Sequence, residues 1–313
     1  MTDRAGMAGA AERRDARLAA AIVQAHGIRP TGVRAIVGQG VTNHVFIVES
    51  ANCAVVVRFA IDTLWQDDFE LEAWCLAKAA EHGIPSPGVL AVGRHDGVPF
   101  LMQTYVQGRP GTTARTDDLW HTLGTFARTV HAIPVTPDAP EGLFSRFGRD
   151  PAAAWQAHLD YNRDQLGPAD PLIGLGVYTM AELGSLRDLI TRLGAAELSF
   201  GLSHGDLSMT NVLVTADAEP VLIDWGAAAV GPVPYHDLLT LTRQHQSRND
   251  PSASELEAFA TGCRIEIGDL GRTLADLDLL GRVDLVRWAI DRRPDRLAAA
   301  VIAARYGVRD ALR

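Results

Sequence analysis

Lysine, cysteine and long apolar runs are all scarce in this chain of 313 residues. Lys78 is the only lysine among the 29 lysine and arginine residues, and the three cysteines include no CxxC pair. Such a cysteine set disfavours a disulfide framework and a structural zinc site. No apolar run approaches the ~20 residues of a membrane span, and the N-terminal stretch mixes both charge signs without the apolar core of a secretory signal. We therefore expect a cytoplasmic protein with no membrane partner.

Acidic residues outnumber basic ones, and the formal net charge is −9. A negative protein surface argues against a nucleic-acid partner, because the phosphate backbone repels it. The excess is concentrated in residues 204–240, which hold five acidic residues and no lysine or arginine, whereas residues 241–313 hold 11 acidic and 12 basic residues. The segment 204–240 is therefore distinct in charge from the rest of the chain.

The order of the predicted elements indicates an α+β protein. Residues 1–27 have a helical pattern, and β-branched stretches within residues 33–60 and 88–106 predict five strands. Between them, residues 65–83 predict one amphipathic helix. Helical patterns dominate the remainder, apart from two short strands around Asn211 and Asp224. This order predicts a β-rich lobe over residues 1–107, with a five-stranded antiparallel sheet and one main helix, and a larger helical lobe over residues 108–313.

The stretch "LSHGDLSMTNVLV", followed by "VLIDWGAAAV", holds polar side chains among apolar ones. Asp206 and Asn211 are five residues apart, and Asp224 follows thirteen residues later. This spacing predicts a loop and a hairpin that bring Asn211 and Asp224 together, and an amide oxygen beside a carboxylate suits Mg²⁺. Asp206, at the start of the loop, is placed to take a proton from a nearby hydroxyl. A base beside a two-ligand magnesium site is the arrangement that phosphoryl transfer needs.

The segments "HGDLSMTN" and "IDW" resemble the two motifs of the aminoglycoside phosphotransferase and choline kinase family, which has a protein-kinase-like two-lobed fold. The resemblance implies that residues 1–107 bind the nucleotide and that residues 108–313 carry the catalytic loop and the acceptor site. It implies ATP or GTP as the phosphoryl donor and Mg²⁺ as the cofactor. The implied roles are catalytic base for Asp206, Mg²⁺ ligands for Asn211 and Asp224, and structural support for His204 and Asp237.

Other stretches resemble the nucleotide-binding lobe of that family. "VGQGVTNHVFIV" is similar to its phosphate-binding loop, and "PFLMQTYVQGRPG" is similar to the hinge whose backbone binds the purine. Arg58 in "VVVRFA" stands where the family usually has a lysine, and a bidentate arginine–glutamate pair is workable there. Glu72 is the expected partner of Arg58, with Glu70 as the alternative. The residues implied at the nucleotide are Gly38, Gly40, Thr42, Asn43, Arg58, Glu72, Gln103, Thr104 and Val106.

The family phosphorylates hydroxyl groups of small molecules, which leaves several acceptors open. An aminoglycoside is a polycation and needs an acidic site, whereas the C-terminal segment is balanced and has arginines in "VRWAIDRRPDRL". A less cationic nucleoside- or macrolide-type antibiotic fits at least as well, and the arginine-for-lysine bias suits a GC-rich antibiotic producer that protects itself. A metabolic kinase for a sugar or an amino alcohol such as choline is the first alternative. A catalytically inactive kinase-like binding module is the second, favoured only by the missing strand lysine.

Overall fold

The computed structural model describes residues 2–36, 43–60 and 68–311, with side chains from residue 12 onwards. Contacts within the chain group it into two compact units. Unit 1 comprises residues 1–119, 133–143 and 204–228, and unit 2 comprises residues 120–132, 144–203 and 229–313. Both units are discontinuous in the chain, whereas the predicted lobes 1–107 and 108–313 are continuous, and that two-lobe boundary stays a prediction.

The helices and strands follow one another in the order that the sequence predicts, with strands first and helices afterwards. Up to residue 131 they are α1 (Thr2–Ala25), β1 (Gly32–Ala35), β2 (Asn43–Glu49), β3 (Ala54–Ala60), α2 (Phe69–Glu81), β4 (Val89–His95), β5 (Val98–Thr104), β6 (Arg109–Pro110) and α3 (Asp117–His131). The remainder are α4 (Pro151–Gln165), α5 (Pro171–Gly174), α6 (Leu183–Ala195), β7 (Ser199–Ser203), β8 (Val212–Val214), β9 (Pro220–Leu222), β10 (Ala229–Val233), α7 (Tyr235–Arg248), α8 (Ala253–Cys263), α9 (Ile267–Arg292) and α10 (Leu297–Ala311).

Unit 1 is built on the predicted five-stranded sheet, whose strands run antiparallel in the order β1-β2-β3-β5-β4. The central strand β3 is apolar at almost every position, because both of its faces are covered. Helix α1 packs on one of these faces, where Ile22 and Val23 belong to the same buried cluster as Phe46 and Phe59. The N-terminal helix is therefore part of the core of unit 1.

Helix α2 begins later than the sequence predicts. Its first residue is Phe69, because the Asp68 carboxylate accepts a hydrogen bond of 3.0 Å from the Leu71 N–H and caps the helix there. Residues 65–67 lie outside the described residues. At the other end, Gly83 has a φ of +75°, which favours glycine and ends the helix where it was expected.

Unit 2 is mainly helical and contains the antiparallel pair β7–β10. Two glycines let α3 and α8 approach closely: a Cβ at Gly124 would lie 2.0 Å from the Phe259 carbonyl oxygen, and one at Gly262 would lie 1.9 Å from that of His121. Burial raises the pKa of the Cys263 thiol at the end of α8 to about 11, so this cysteine is protonated at neutral pH. Within the described residues, no helix is long and apolar enough to cross a membrane.

Candidate active site

The glycine of the "HGD" segment is required by its backbone and by its surroundings. Gly205 has a φ of +84°, a value that side chains other than hydrogen rarely allow. A Cβ at this position would lie 2.0 Å from the Ala227 carbonyl oxygen. The turn therefore brings the loop that starts at His204 directly against the segment that follows Asp224.

Asp206 and Asn211 are joined by two hydrogen bonds across the loop. The Asn211 Nδ2 amide donates to the Asp206 carbonyl oxygen at 2.8 Å and to the Asp206 Oδ2 at 2.9 Å. Both N–H groups of this amide are therefore engaged with Asp206. The amide oxygen Oδ1 is the atom of the side chain that can still bind another group. The short helical turn Met209–Asn211 leads into β8 and buries Asn211.

The predicted hairpin is formed by β8 and β9, which pair with Val212 opposite Leu222. The Ile223 N–H extends the ladder by donating to the Asn211 carbonyl oxygen at 2.9 Å. Asp224 then adopts a left-handed conformation, with φ 64° and ψ 67°. Such a conformation is uncommon for a residue with a side chain, although aspartate adopts it more often than most residues do. The hairpin thus places Asn211 and Asp224 on neighbouring segments.

Arg58 connects two carboxylates of unit 1. Its Nη1 donates to the Glu72 Oε1, and its Nη2 donates to the Asp224 Oδ1 at 3.0 Å. Arg58 and Glu72 are buried, whereas the Asp224 side chain is 45% exposed. Glu70, the alternative partner in the sequence, lies on the exposed side of α2. The contact between Arg58 and Asp224 was not foreseen, and the 166 residues between them left no local signal for it.

His204 is fully buried and bonded at both ring nitrogens. Its Nδ1 accepts from the Asp206 N–H at 3.3 Å, and its Nε2 lies 3.1 Å from the Ile223 carbonyl oxygen. Because Nδ1 is an acceptor, Nε2 carries the proton in the neutral ring and donates to that carbonyl. The imidazole also packs on the Trp225 ring, with 4.7 Å between centroids. His204 therefore ties the backbone before Asp206 to the backbone before Asp224.

Asp237 lies in unit 2, at the first turn of α7, and its carboxylate is fully buried. It accepts a hydrogen bond of 2.9 Å from the His131 Nε2 at the end of α3. His131 was not singled out in the sequence, where nothing distinguishes it from other helical histidines. The pair links two helices of the same unit.

The residues implied at the nucleotide are only partly described. Gly38, Gly40 and Thr42 lie outside the described residues. Asn43 is buried at the start of β2, and Gln103 is buried on β5.

The hinge strand has two backbone donors fewer than the stretch Thr104–Val106 suggested. The Thr104 N–H donates to the Gly88 carbonyl oxygen at 2.8 Å, so it is already used within the sheet. The Tyr105 N–H donates to the Ala54 carbonyl oxygen at 3.3 Å. Within the described ranges, no acceptor contacts the Val106 N–H. Of the predicted donors, Val106 is the one that the sheet leaves available.

The oxygen atoms at the end of the hairpin suit a hard divalent cation. Across the described ranges, no group of three or more His, Cys, Asp and Glu side chains is placed to hold a metal by itself. Asn211 Oδ1 and the Asp224 carboxylate offer two oxygen donors. Mg²⁺ is commonly bound by one or two protein ligands together with substrate phosphates and water. Asn211 and Asp224 therefore suit a Mg²⁺ ion that also binds the phosphates of a substrate.

Solved structures with a similar fold include antibiotic phosphotransferases and a putative fructosamine-3-kinase. Macrolide 2′-phosphotransferase from Brachybacterium faecium has a TM-score of 0.62 at 19% identity, over 93% of this chain and 98% of that one. Spectinomycin phosphotransferase in complex with ADP and spectinomycin has a TM-score of 0.57 at 15% identity, over 95% and 97%. A putative fructosamine-3-kinase from Haemophilus somnus has a TM-score of 0.61 at 13% identity, over 91% and 92%. The predicted α+β, protein-kinase-like fold is thereby confirmed.

Sequence comparison gives the family directly. The search of curated proteins finds no significant match. The profile of the phosphotransferase enzyme family matches residues 33–275, which include the sheet of unit 1, both motifs and most of the helices that follow. The predicted enzyme class, a phosphotransferase with an alcohol group as acceptor, is confirmed with it. The chain belongs to the phosphotransferase enzyme family that the motifs "HGDLSMTN" and "IDW" resemble.

Proposed function

We propose that this phosphotransferase transfers the terminal phosphate of ATP or GTP to a hydroxyl group of a small molecule, with Asp206 as the catalytic base. The observation that carries the proposal is the connected arrangement of Asp206, Asn211 and Asp224. Asn211 bonds to Asp206 through its amide nitrogen, and Asp224 follows the strand that pairs beside it. A base and two oxygen ligands are thus held by one loop and one hairpin.

In the proposed reaction, Asp206 takes the proton of the acceptor hydroxyl. The hydroxyl oxygen forms a bond to the terminal phosphorus, and the bond from that phosphorus to the bridging oxygen of the nucleoside diphosphate breaks. The hydrogen bond from Asn211 holds one Asp206 oxygen, so the other is the one assigned to the proton. Positioning of this kind is typical of general bases that act on hydroxyl groups.

Asn211 Oδ1 and the Asp224 carboxylate are the proposed Mg²⁺ ligands, and the cation supplies charge neutralisation on the phosphates when bound. Arg58 is assigned to the phosphates and to Asp224, whose Oδ1 it already contacts at 3.0 Å. Glu72 holds the other side of the guanidinium. His204 and Asp237 are proposed to act only as structural support, since both are fully buried within their own hydrogen bonds.

The nucleotide-binding site is assigned to unit 1. The purine is proposed to lie beside β5, where the Val106 N–H is the available donor and Gln103 and Thr104 contribute through their carbonyl oxygens. Asn43 follows the predicted phosphate-binding loop and lies at the same end of the sheet as Arg58, since their strands pair with Asn43 opposite Ala60. The contribution of Gly38, Gly40 and Thr42 rests on the sequence alone.

For the acceptor, we infer a hydroxyl-bearing antibiotic, inactivated in the cytoplasm as self-resistance. The named relatives act on macrolides and spectinomycin, and the arginine-containing C-terminal segment disfavours a polycationic aminoglycoside. A metabolic kinase is the second candidate, favoured by the similarity to a putative fructosamine-3-kinase. An inactive binding module is the third, and the complete set of Asp206, Asn211 and Asp224 argues against it. No nucleic acid or membrane enters the proposal.

The test is a transfer assay with purified protein, Mg²⁺ and either ATP or GTP, against a panel of macrolides, nucleoside antibiotics, aminoglycosides, sugars and choline. Mass spectrometry should detect one acceptor that gains a phosphate group. The Asp206→Asn variant is the matched control, because it keeps the shape of the side chain and removes the base. Equal phosphate transfer by this variant would refute the assignment of Asp206. A panel without any product, from protein that binds nucleotide, would favour the inactive module.

A further inference from the structure

Unit 2 contains a cavity whose lining residues do not belong to the candidate active site. Its volume is about 160 Å³, and it opens to solvent between the segment that precedes α4, helix α4 itself and the pair β7–β10. Three aromatic rings form its walls: those of Phe144, Trp155 and Phe200. His158 and Gly231 also line it. We refer to this space as the aromatic cavity.

His158 is a polar side chain of the aromatic cavity, together with Ser145, and its ring is held in place. Its Nε2 lies 2.7 Å from the Asp284 Oδ2, while the Asn162 Nδ2 donates to the other Asp284 oxygen at 2.9 Å. Because a carboxylate only accepts, Nε2 carries the proton, and Nδ1 of the neutral ring is an acceptor. No hydrogen bond reaches Nδ1 from any residue in the described ranges. The His158 side chain is 23% exposed, so a hydroxyl group can approach it.

The aromatic cavity is neutral. Among the described residues, none of those that line it is Asp, Glu, Lys or Arg. The nearby Asp284 carboxylate is already bonded by His158 and Asn162. The Arg149 guanidinium lies 4.1 Å from the centroid of the Phe144 ring, which is one of the walls. A strongly hydrated ammonium group would lose its hydration here without gaining a carboxylate partner, and one of the wall rings already carries the Arg149 guanidinium.

We propose that the aromatic cavity binds an uncharged, hydroxyl-bearing ring of the acceptor molecule, with the ring face on the aromatic walls and one hydroxyl donating to His158 Nδ1. The aromatic faces carry partial negative charge and attract the C–H groups of such a ring. The inference rests on the proposed function, which requires a hydroxyl-bearing acceptor. Phe200, on the wall of the cavity, lies on β7, which ends at Ser203. It narrows the proposed acceptor to molecules that carry a neutral, hydroxyl-bearing ring.

Gly231 allows a test that leaves the aromatic walls intact. It has no positive φ, and a Cβ at this position meets no atom within 4 Å, so Gly231→Val adds bulk at the cavity from an open position. Gly271→Val is the matched control, because Gly271 is equally open but lies on the exposed side of α9. A third variant, His158→Phe, keeps a ring and removes the acceptor. Far-UV circular dichroism and melting curves establish that all three variants are folded.

Saturation-transfer difference NMR measures binding of three probes: methyl β-glucoside and uridine as neutral rings, and 2-deoxystreptamine as a cationic one. We expect at least one of the two neutral probes to bind wild-type protein and Gly271→Val equally. The saturation-transfer signal of that probe should be lost in Gly231→Val. His158→Phe should weaken that binding roughly fivefold to tenfold, the effect of one lost hydrogen bond.

Absence of binding by both neutral probes, equal binding in Gly231→Val, or displacement of a neutral probe by 2-deoxystreptamine would overturn the inference. None of these readouts depends on phosphate transfer. Failure of the transfer assay with intact probe binding would therefore refute the proposed function alone.

Discussion

Replacing Arg58 by alanine should destabilise the protein far more than replacing Arg34, another arginine of the same sheet. Arg58 and Glu72 form an ion pair in which the two residues are 9% and 2% exposed. Removal of the guanidinium leaves the Glu72 carboxylate buried without its cation, which typically costs about 3–5 kcal/mol. Arg34 pairs with Glu49 at 3.7 Å, with side chains 56% and 54% exposed, and such surface pairs contribute about 0–1 kcal/mol.

Thermal unfolding of wild type, Arg58→Ala and Arg34→Ala measures this difference. For domains of roughly 150–250 residues, each kcal/mol shifts the melting temperature by about 2–4 °C. Arg58→Ala should therefore melt roughly 6–20 °C below wild type, and Arg34→Ala within about 4 °C of it. Both variants lose one positive charge from the sheet, so a general effect of net charge is the same in each.

A double variant separates the buried carboxylate from other effects of losing Arg58. Arg58→Ala combined with Glu72→Ala leaves no unpaired charge inside the protein, so it should regain part of the lost stability relative to Arg58→Ala alone. Equal melting temperatures for Arg58→Ala and Arg34→Ala would refute the reasoning. So would a double variant whose loss equals the sum of the two single losses, since the side chains would then act independently.

Three further predictions concern catalysis, acid stability and helix packing. Asp206→Asn should lower kcat by roughly 10²–10⁴ while nucleotide binding measured by calorimetry stays close to wild type, because only the base is lost; unchanged kcat contradicts the assigned role. Burial alone would raise the pKa of Asp170, but hydrogen bonds chiefly from Arg287 outweigh it and hold the pKa below the usual 3.8. The ionised carboxylate therefore stabilises the folded protein above pH 3.8, and this contribution is lost as pH falls through the lowered pKa. Asp170→Asn should flatten the decline of the urea midpoint as pH falls below 3.8, and an unaltered pH profile in that range would exclude this source. Gly262→Ala should lower the unfolding free energy by about 1–3 kcal/mol or more through its clash with a backbone carbonyl, whereas Gly271→Ala, in open space, should not.

Much of the local structure followed from patterns in the sequence. β-branched stretches gave the five strands of unit 1, because strand propensity depends on side chains close together in the chain. The loop and hairpin around Asn211 and Asp224 were predictable for the same reason, since their spacing is set by turns and short strands. The start of α2 differed by four residues from the expected Trp65, because the Asp68 cap decides it and several acidic residues were available for that role.

Long-range contacts were decided only by the folded chain. The sequence indicated Arg58 beside Glu72, but the second bond of Arg58 to Asp224 joins residues 166 positions apart. The hydrogen bond from the Thr104 N–H to the Gly88 carbonyl oxygen depends on how the residue just before β4 packs on β5. The His158–Asp284 pair likewise joins α4 to α9. Periodicity and spacing specify the type and face of an element, whereas the partner of a side chain depends on the packing of distant elements, which no short stretch of sequence encodes.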